Sequence, residues 1–367
     1  MKIICSKNDL VKGVNIVSKA VPTKTTMPIL ECILIDASTN SIKLTANDME
    51  LGIETIVEGE IAERGVIALN AKMFSDIVRK LPDSNVVIEA TSSYKTTIKS
   101  EKVVFNIAAQ SGEDFSYLPI VEKENTISLS EFTLKEVINQ TIFSISDSET
   151  NRIMTGVLFE VSNNILRVVT LDGHRISIRK IELANNYPDQ KVIIPGKTMD
   201  EIRRIIKGNI EDKIDISITK NHILFEFDQT AVVSRLIEGN YFNIDQMLSG
   251  DFETKIKVVK RDLLDCIERA MLLIKETDKK PIVIDINEDI MDVKIKSQIA
   301  SMNEDITIAK EGKNLLIAFN PKFLIDALRV IDDEEIDIYF MNSKAPCFIR
   351  NDEQSYVYLI LPVNFTS

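Results

Sequence analysis

Histidine and cysteine, which often act as general bases, nucleophiles or metal ligands, are scarce in this 367-residue chain. The chain has two histidines, His174 and His222, and four widely spaced cysteines, Cys5, Cys32, Cys266 and Cys347. A zinc site needs three or four such ligands and a nucleophile needs a neighbouring base, yet no motif groups them here. The sequence therefore predicts no catalytic residue, no metal ion, no cofactor and no disulfide framework. For His174, which follows the favoured hairpin pair Asp172-Gly173, a purely structural place in a turn is the alternative.

Lysine and arginine offer a second kind of chemistry, contact with a polyanion. Pairs of them recur seven residues apart, about two helical turns, so both members share one helix face. These pairs are Lys12 and Lys19, Lys72 and Arg79, Lys197 and Arg204, and Lys322 and Arg329. Because the formal net charge is −12, the basic faces stand on an acidic body, which favours binding to a phosphate backbone. Solvated helix faces without a ligand are the alternative, and the absence of tryptophan argues against reading of bases.

A repeat of 125 residues places three of these pairs in equivalent positions. The octapeptides at 72–79 (KMFSDIVR), 197–204 (KTMDEIRR) and 322–329 (KFLIDALR) all begin with Lys, carry an acidic residue at the fifth place and end with Arg. A period of this length is that of a whole small domain and not of a solenoid unit. The sequence thus predicts three α+β domains, at 1–122, 126–249 and 254–367, with two helices and about eight strands each.

Local patterns agree with this plan. In the first copy a strand at 1–5 leads into an amphipathic helix, alternating strands follow, and a second helix spans 71–81; further helices are predicted at 134–143 and 263–274. No apolar run approaches the roughly 18 residues of a membrane helix, and the N-terminus is too polar for a signal peptide. We therefore expect a cytoplasmic protein with no membrane partner.

Five short motifs carry a resemblance to a known family. They are MPIL at 27–30, TLDGHR at 170–175, VIIPGK at 192–197, FNP at 319–321 and YLILPV at 358–363. With the threefold repeat, they make the chain similar over its whole length to the bacterial β sliding clamps, the processivity subunits of DNA polymerase III. The resemblance implies a ring of six similar domains, formed by a closed head-to-tail homodimer, with helices lining a central hole and sheets at the rim.

The function implied by the resemblance is to encircle duplex DNA without sequence preference and to tether other proteins to it. The implied partners are a second copy of the chain, duplex DNA, the DNA polymerase III catalytic subunit, the clamp loader and other proteins with a clamp-binding motif. Implied DNA contacts are Lys24, Arg79, Lys197 and Arg204. Implied dimer contacts join Phe105 and Ile107 of one subunit to Leu272 and Leu273 of the other.

The resemblance also implies a pocket, between the second and third domains, that takes a short apolar peptide. Its residues would be Met154, Leu171, Gly173, His174, Arg175, Ile176, Phe242, Met247, Asn320, Phe323, Leu361, Pro362 and Val363. Where the family often has Pro and Arg, this chain has Phe242 and Gln246, and Lys344 and Pro346 replace smaller residues, which leaves the peptide preference open. The rival hypothesis is a three-domain small-molecule-binding protein or enzyme with its site near His174.

Comparison of the first two copies points to the same element. Aligning 45–53 (TANDMELGI) with 170–178 (TLDGHRISI) places His174 and Arg175 opposite Met49 and Glu50. The shared threonine and apolar positions are expected to serve the fold. The two basic residues are then candidates for a function that the first copy lacks.

Overall fold

The structure, a computed structural model, describes residues 1–248, 250–274, 280–297 and 300–365. Within these residues the chain divides into two compact units. Unit 1 contains Met1–Leu134 and Asp200–Leu236, and unit 2 contains Lys135–Met199 and the described residues from Ile237 onward. The middle repeat therefore contributes to both units.

Each repeat supplies two main helices, as the sequence predicts. The helices of the described residues are α1 (Lys7–Val17), α2 (Ala71–Lys80), α3 (Glu131–Asn139), α4 (Gly196–Ile205), the single turn α5 (Ile244–Met247), α6 (Lys260–Met271) and α7 (Pro321–Leu328). The helix predicted at 134–143 ends at Asn139, and a 3₁₀ turn at Ile142–Ser144 follows it. The helix predicted at 263–274 begins three residues earlier and ends at Met271.

Capping residues and apolar spacing explain where the helices form. At the start of α2, the side chain of Asn70 accepts a hydrogen bond from the N–H of Met73 at 3.1 Å, which satisfies a free donor of the first turn. Phe74 and Val78, four residues apart, are buried, while Arg79 is exposed. Helix α7 begins with Pro321, which has no N–H that needs a partner, and the side chain of Asn320 before it caps the first turn.

The strands lie between these helices. In the first repeat they are β1 (Lys2–Ser6), β2 (Cys32–Asp36), β3 (Ile42–Asn47), β4 (Leu51–Val57), β5 (Gly59–Glu63), β6 (Val66–Asn70), β7 (Asn85–Ala90), β8 (Lys95–Ser100), β9 (Val103–Ala108) and β10 (Gln110–Ser111). In the second they are β11 (Ile127–Ser130), β12 (Gly156–Leu171), β13 (Arg175–Pro195), β14 (Lys213–Ile218), β15 (His222–Phe227) and β16 (Thr230–Arg235). In the third they are β17 (Thr254–Val259), β18 (Ile282–Asn287), β19 (Ile290–Lys296), β20 (Ser301–Thr307), β21 (Ala309–Gly312), β22 (Leu315–Phe319), β23 (Glu335–Phe340), β24 (Cys347–Arg350) and β25 (Tyr356–Ile360).

Unit 1 contains two antiparallel sheets. The smaller has the order β5-β1-β7-β8-β9, and the larger has the order β10-β6-β2-β3-β4-β16-β15-β14-β11. The larger sheet passes from the first repeat to the second through β4 and β16, where Thr55 pairs with Thr230. Hydrogen bonding between strands therefore continues across this repeat boundary.

Unit 2 has a corresponding pair of sheets. One has the order β12-β13-β25-β24-β23-β17-β21, and the other has the order β20-β19-β18-β22. The first joins the second repeat to the third through β13 and β25, with Arg175 opposite Ile360. This pairing brings the Asp-Gly-His-Arg element beside the C-terminal motif of the chain.

Candidate functional site

The tip of the hairpin between β12 and β13 carries the Asp-Gly-His-Arg element. The backbone N–H of Asp172 donates to the carbonyl of Arg175 at 3.3 Å, and its Oδ1 accepts from the N–H groups of His174 and Arg175 at 2.9 and 3.1 Å. Gly173 has a φ of 88°, in the left-handed region that favours glycine. The turn thus holds His174, whose side chain is exposed, at the surface.

The hairpin between β3 and β4 ends in the same turn. There Asp48 makes the same three hydrogen bonds, and Met49 has a φ of 75°. Asp48 therefore corresponds to Asp172, and Arg175 stands in the place of Leu51. The alignment made from sequence is wrong by one residue, because it matched identical threonines in the strands and not the turns.

A cavity of about 380 Å³ opens beside this tip in unit 2. It is lined mainly by apolar side chains, which are Met154, Leu171, Gly173, His174, Arg175, Ile176, Phe242, Met247, Pro346, Leu359 and Leu361. Leu171, Ile176 and Leu359 are buried members of the hydrophobic cluster beneath it, whereas Met247 is 44% exposed. The cavity therefore combines a fixed apolar floor with an exposed, flexible side chain in its wall.

Nine of the thirteen predicted pocket residues line this cavity, and four do not. Asn320 caps helix α7 with its side chain. Phe323 stacks on the ring of His174, with ring centroids 6.0 Å apart and planes inclined at 22°. Pro362 and Val363 directly follow the last lining residue of the chain. The part of all these residues in binding stays a prediction.

Two lining residues, Pro346 and Leu359, are absent from the predicted set. Leu359 pairs with Ile176 across β13 and β25. Its place two residues before Leu361 was the available signal, because alternate residues of a strand share a face. Pro346 immediately precedes β24, and it reaches the cavity through the pairing of β24 with β25, which local sequence does not indicate.

Of the four residues at which this chain departs from the family pattern, two line the cavity and two do not. Phe242 and Pro346 belong to its lining, whereas Gln246 and Lys344 do not. The ring of Phe242 meets that of Tyr241 edge to face, with centroids 5.9 Å apart. The first two substitutions can therefore alter the shape of the cavity directly.

Arg175 is a lining residue whose charged end serves the fold. Its side chain is 8% exposed. Its Nε donates to Oδ2 of Asp172 at 2.9 Å, and its Nη1 donates to Oδ2 of Asp326 at 2.7 Å. Its Nη2 donates to the backbone carbonyl of Phe143. A buried guanidinium requires such partners. Because its charged end is occupied by these hydrogen bonds, Arg175 contributes the less polar part of its side chain to the cavity lining.

All four residues predicted to contact DNA are exposed and lie in or next to the helices of their repeats. Lys24 lies in the loop after α1, and Lys197 lies in the first turn of α4. Arg79, on α2, donates from Nη2 to Oδ1 of Asn15 on α1 at 2.6 Å. Their contact with DNA stays a prediction.

Arg204, the fourth, is held by two carboxylates of its own helix. Its Nη2 lies 2.6 Å from Oδ2 of Asp200, and its Nη1 lies 3.3 Å from Oε1 of Glu201. Glu201 also lies 3.8 Å from Nζ of Lys19. A phosphate that contacts Arg204 or Lys19 must therefore compete with an internal anion.

A groove of about 540 Å³ in unit 1 surrounds this network. Its cationic lining residues are Lys12, Lys19, Arg204 and Lys207, and its carboxylates are Asp9, Glu58, Glu131 and Asp228. The hydrogen bond from Lys207 to Asp228, at 2.7 Å, raises the pKa of the lysine. The groove thus carries charges of both signs, with Lys19, Arg204 and Lys207 in ion pairs, and is not a simple basic patch.

The residues predicted for the dimer interface lie in different surroundings. Phe105 and Ile107 are on β9, an edge strand, and Phe105 borders an apolar cavity of about 500 Å³ beside α2. Leu272, directly after α6, is 83% exposed. Leu273, in contrast, packs against the hydrophobic core of the third repeat. Interface contact by these residues stays a prediction.

The second histidine and the four cysteines lie in surroundings that suit a structural role. His222 closes the turn before β15, where its N–H donates to Oγ1 of Thr219 at 3.2 Å. All four cysteines are free and buried. Among the described residues, no group of three or more His, Cys, Asp and Glu side chains is placed to hold a metal ion. None of the helices in that part of the chain combines the length and the apolar character needed to cross a membrane.

Comparison with known proteins finds similarity to one family along the whole chain. Family models of the DNA polymerase III beta subunit match residues 1–119 as the N-terminal domain, 128–243 as the central domain and 245–364 as the C-terminal domain. A beta sliding clamp of Halalkalibacterium halodurans is 35% identical over 378 residues, which cover 99% of each chain.

Solved structures are similar over their full length. A crystal structure from Eubacterium rectale, assigned to the DNA polymerase III beta subunit, is 65% identical with a TM-score of 0.98, and the match covers 100% of both chains. The crystal structure of the DNA polymerase sliding clamp from Bacillus subtilis is 34% identical with a TM-score of 0.97, again over 100% of both chains.

Three related α+β domains, matched in order by these models, define a sliding-clamp protein. The chain belongs to the DNA polymerase III beta subunit family, the family of the β sliding clamps. The predicted family, the three-domain α+β fold and the sliding-clamp function are confirmed, and the clamp hypothesis is supported over an enzyme or small-molecule receptor.

Proposed function

We propose that this clamp closes with a second copy, head to tail, into a ring that encircles duplex DNA, and that it holds its partners through the cavity beside the β12–β13 tip. The partners would be the DNA polymerase III catalytic subunit, the clamp loader and other proteins with a clamp-binding motif, all acting in the cytoplasm. The observation that carries the proposal is the cavity itself. An apolar recess of about 380 Å³ with few polar groups at its edge suits the side chains of a short peptide.

The affinity expected for such a peptide is moderate. Burying one apolar side chain contributes about 1.5 to 3 kcal/mol, and two or three anchors must also offset the cost of ordering the peptide. A micromolar dissociation constant, roughly −8 kcal/mol, is the expected result. Partners that bind with this affinity can exchange, so competition for one cavity would let several of them use the same clamp in turn.

A peptide titration tests the cavity directly. The probe is a capped pentapeptide, Ser-Leu-Ser-Leu-Phe, which has three apolar anchors; the control peptide replaces the anchors with alanine. We expect chemical shifts of the cavity residues to change at micromolar probe. Met247→Asp should abolish these changes, because it places a charge in the apolar wall.

A matched variant controls for the added charge. Met27→Asp changes a methionine with the same 44% exposure that does not line the cavity, and it should bind the probe normally. Shifts confined to other residues, or none at millimolar probe, would contradict the assignment of the cavity.

For DNA, the proposal rests on exposed basic residues of α2, α4 and the loop after α1. Contacts by Lys24, Arg79, Lys197 and Arg204 would be with phosphates, and the affinity would therefore be weak and independent of base sequence. The slope of log affinity against log salt should be about −0.9 for each phosphate contacted. Lys197→Glu with Arg204→Glu should impair loading onto DNA while the dimer persists, and a strong base preference would count against the proposal.

A further inference from the structure

The conformation of the β12–β13 tip depends on a side chain that does not line the cavity. Asp326, on α7, accepts the hydrogen bond from Nη1 of Arg175 at 2.7 Å. Both side chains are largely buried, with 20% and 8% exposure. Removing one partner of a buried, hydrogen-bonded ion pair is destabilising, because the remaining charge loses part of its compensation. Asp326 therefore determines where the guanidinium of Arg175 lies.

The same helix contacts the tip a second time. Phe323, one turn before Asp326, has its ring centroid 4.5 Å from the guanidinium carbon of Arg175 and 6.0 Å from the ring centroid of His174. Residues three apart on a helix lie on the same side. Helix α7 thus contacts both basic residues of the tip through two neighbouring side chains.

Besides these side-chain contacts, the backbone N–H of Leu361 donates to the carbonyl of His174 at 2.8 Å, whereas the outer side of the tip is open. A Cβ built on Gly173 would meet no atom within 4 Å, so this residue projects into open space. Within the tip, Asp172 closes the turn, and its Oδ2 also accepts from Nε of Arg175. The guanidinium of Arg175 and the ring of His174 therefore both join the turn to α7. Held in this way, the turn positions Leu171, Gly173 and His174 in the cavity wall.

We propose that Asp326 is a positioning residue of the binding cavity: it holds Arg175, and through it the β12–β13 tip, in the conformation that accepts the peptide. This inference rests on the proposed function of the cavity. Without the carboxylate, the guanidinium keeps one carboxylate partner, Asp172, which belongs to the tip itself. The tip then keeps only the ring contacts of Phe323 with α7 and is held less firmly. The peptide must order it on binding, which lowers affinity.

The test compares two isosteric substitutions in unit 2. Asp326→Asn should raise the dissociation constant of the Ser-Leu-Ser-Leu-Phe probe roughly tenfold, a loss of about 1.4 kcal/mol. The control is Asp292→Asn, which removes the charge of a carboxylate that is also 20% exposed and also paired, with Lys294, but which does not line the cavity. Equal peptide affinity in the wild type and Asp326→Asn, or equal losses in the two variants, would overturn the inference.

A double-mutant cycle separates positioning from general destabilisation. Since Asp326 acts through Arg175, Asp326→Asn combined with Arg175→Lys should cost little more affinity than either alone. Asp326→Asn combined with Met247→Ala, a change in another lining residue of the cavity, should give additive losses. Additive losses in the first pair would overturn the inference.

A conservative variant keeps the test valid if Asp326→Asn folds poorly. Asp326→Glu retains the charge and moves the carboxylate by one methylene, so its affinity for the probe should lie between those of the wild type and Asp326→Asn. Wild-type affinity in Asp326→Glu together with loss in Asp326→Asn also supports positioning by charge. If the wild type itself does not bind the probe, the proposed function fails and not merely the role of Asp326.

Discussion

At the scale of single residues, the repeated turn shows what glycine contributes. Asp48 and Asp172 close the same turn with the same hydrogen bonds, yet the next residue is Met49 in one copy and Gly173 in the other. Because a Cβ on Gly173 would have open space around it, the backbone and not packing favours glycine there. A side chain is possible at this position, at a conformational cost.

Gly173→Ala should therefore fold but be less stable. An L-residue in the left-handed region costs about 1 to 2 kcal/mol, so we expect a fall of this size in the free energy of unfolding of unit 2, together with weaker binding of the peptide. Urea unfolding measures the first effect. In the equivalent turn, Met49→Gly removes a side chain from the same conformation and should change stability by less than about 1 kcal/mol. Unchanged stability of Gly173→Ala would show that the turn is not constrained as described.

Buried thiols make stability depend on alkaline pH. Burial raises the pKa of Cys5, Cys266 and Cys347 to about 12, whereas an unfolded thiol has a pKa of about 8.5. Between these values the folded chain binds more protons than the unfolded chain, so stability falls as pH rises. The stabilisation is fully present below about pH 8.5 and is lost progressively toward pH 12.

The expected loss is measurable for one thiol at a time. Each thiol should contribute a slope of up to about 1.4 kcal/mol per pH unit above pH 9. In Cys347→Ala the free energy of unfolding should therefore decline less steeply between pH 8.5 and pH 10 than in the wild type. Parallel curves for the two proteins would contradict the assignment of the pKa of Cys347.

Sequence could identify the site at this scale only in part. The family resemblance, carried over position by position, implied nine of the lining residues. Asp326 was missed because its role depends on the buried direction of the Arg175 guanidinium. Such a contact between residues 151 positions apart leaves no periodic trace in the sequence.

At the scale of elements, helix α4 combines cations with their own counterions. Glu201 is 15% exposed and lies near both Arg204 and Lys19, at 3.3 and 3.8 Å. These ion pairs lower the gain from phosphate contact, since each must be broken or shared when DNA binds. A clamp that must slide benefits from weak contact, so Glu201 is expected to keep the affinity for DNA low.

Glu201→Gln should strengthen DNA binding. We expect the affinity for duplex DNA to rise several-fold, with a salt slope that steepens by about 0.9 if one more cation becomes available to a phosphate. Glu211→Gln is the matched control, because it makes the same charge change at an exposed position outside the groove lining. An equal gain in DNA affinity in both variants would show that the change in net charge alone is responsible.

The elements themselves were largely predictable. Amphipathic spacing and the repeated octapeptides predicted two helices in each repeat, because both signals are local in the sequence. Strands were harder: the described residues contain ten, six and nine in the three repeats, against about eight expected for each. The middle repeat has fewer because β12 and β13 run on as long strands, of 16 and 21 residues, where the first repeat has several short ones.

At the scale of the whole molecule, the repeat predicted three domains but not the continuity of the sheets. In unit 1 a sheet crosses from the first repeat to the second through β4 and β16, and in unit 2 a sheet crosses from the second to the third through β13 and β25. Pairing between distant strands depends on register and not on local composition. Strands of neighbouring repeats therefore share a sheet across the predicted domain bounds.

Edges of the sheets indicate how a second copy could bind. β9 is an edge strand of its sheet, and Val104 and Phe105 on it are 50% and 36% exposed. Apolar side chains on an uncovered edge strand favour association with another chain. Leu272, at 83% exposure, is a second uncovered apolar residue. Under the proposed head-to-tail arrangement, the β9 region of one copy meets Leu272 of the other.

Leu272→Asp is the cleanest test of this closed dimer. Leu273 is unsuitable because it also packs against the core of its own repeat, so its substitution would confuse assembly with folding. A head-to-tail dimer has two identical interfaces, and losing a buried leucine at each should cost about 3 to 6 kcal/mol of dimer stability. Sedimentation at micromolar concentration should show a dimer for the wild type and monomer for Leu272→Asp. Ile290→Asp, at 48% exposure on β19, should remain dimeric, and a wild-type monomer under these conditions would contradict the ring.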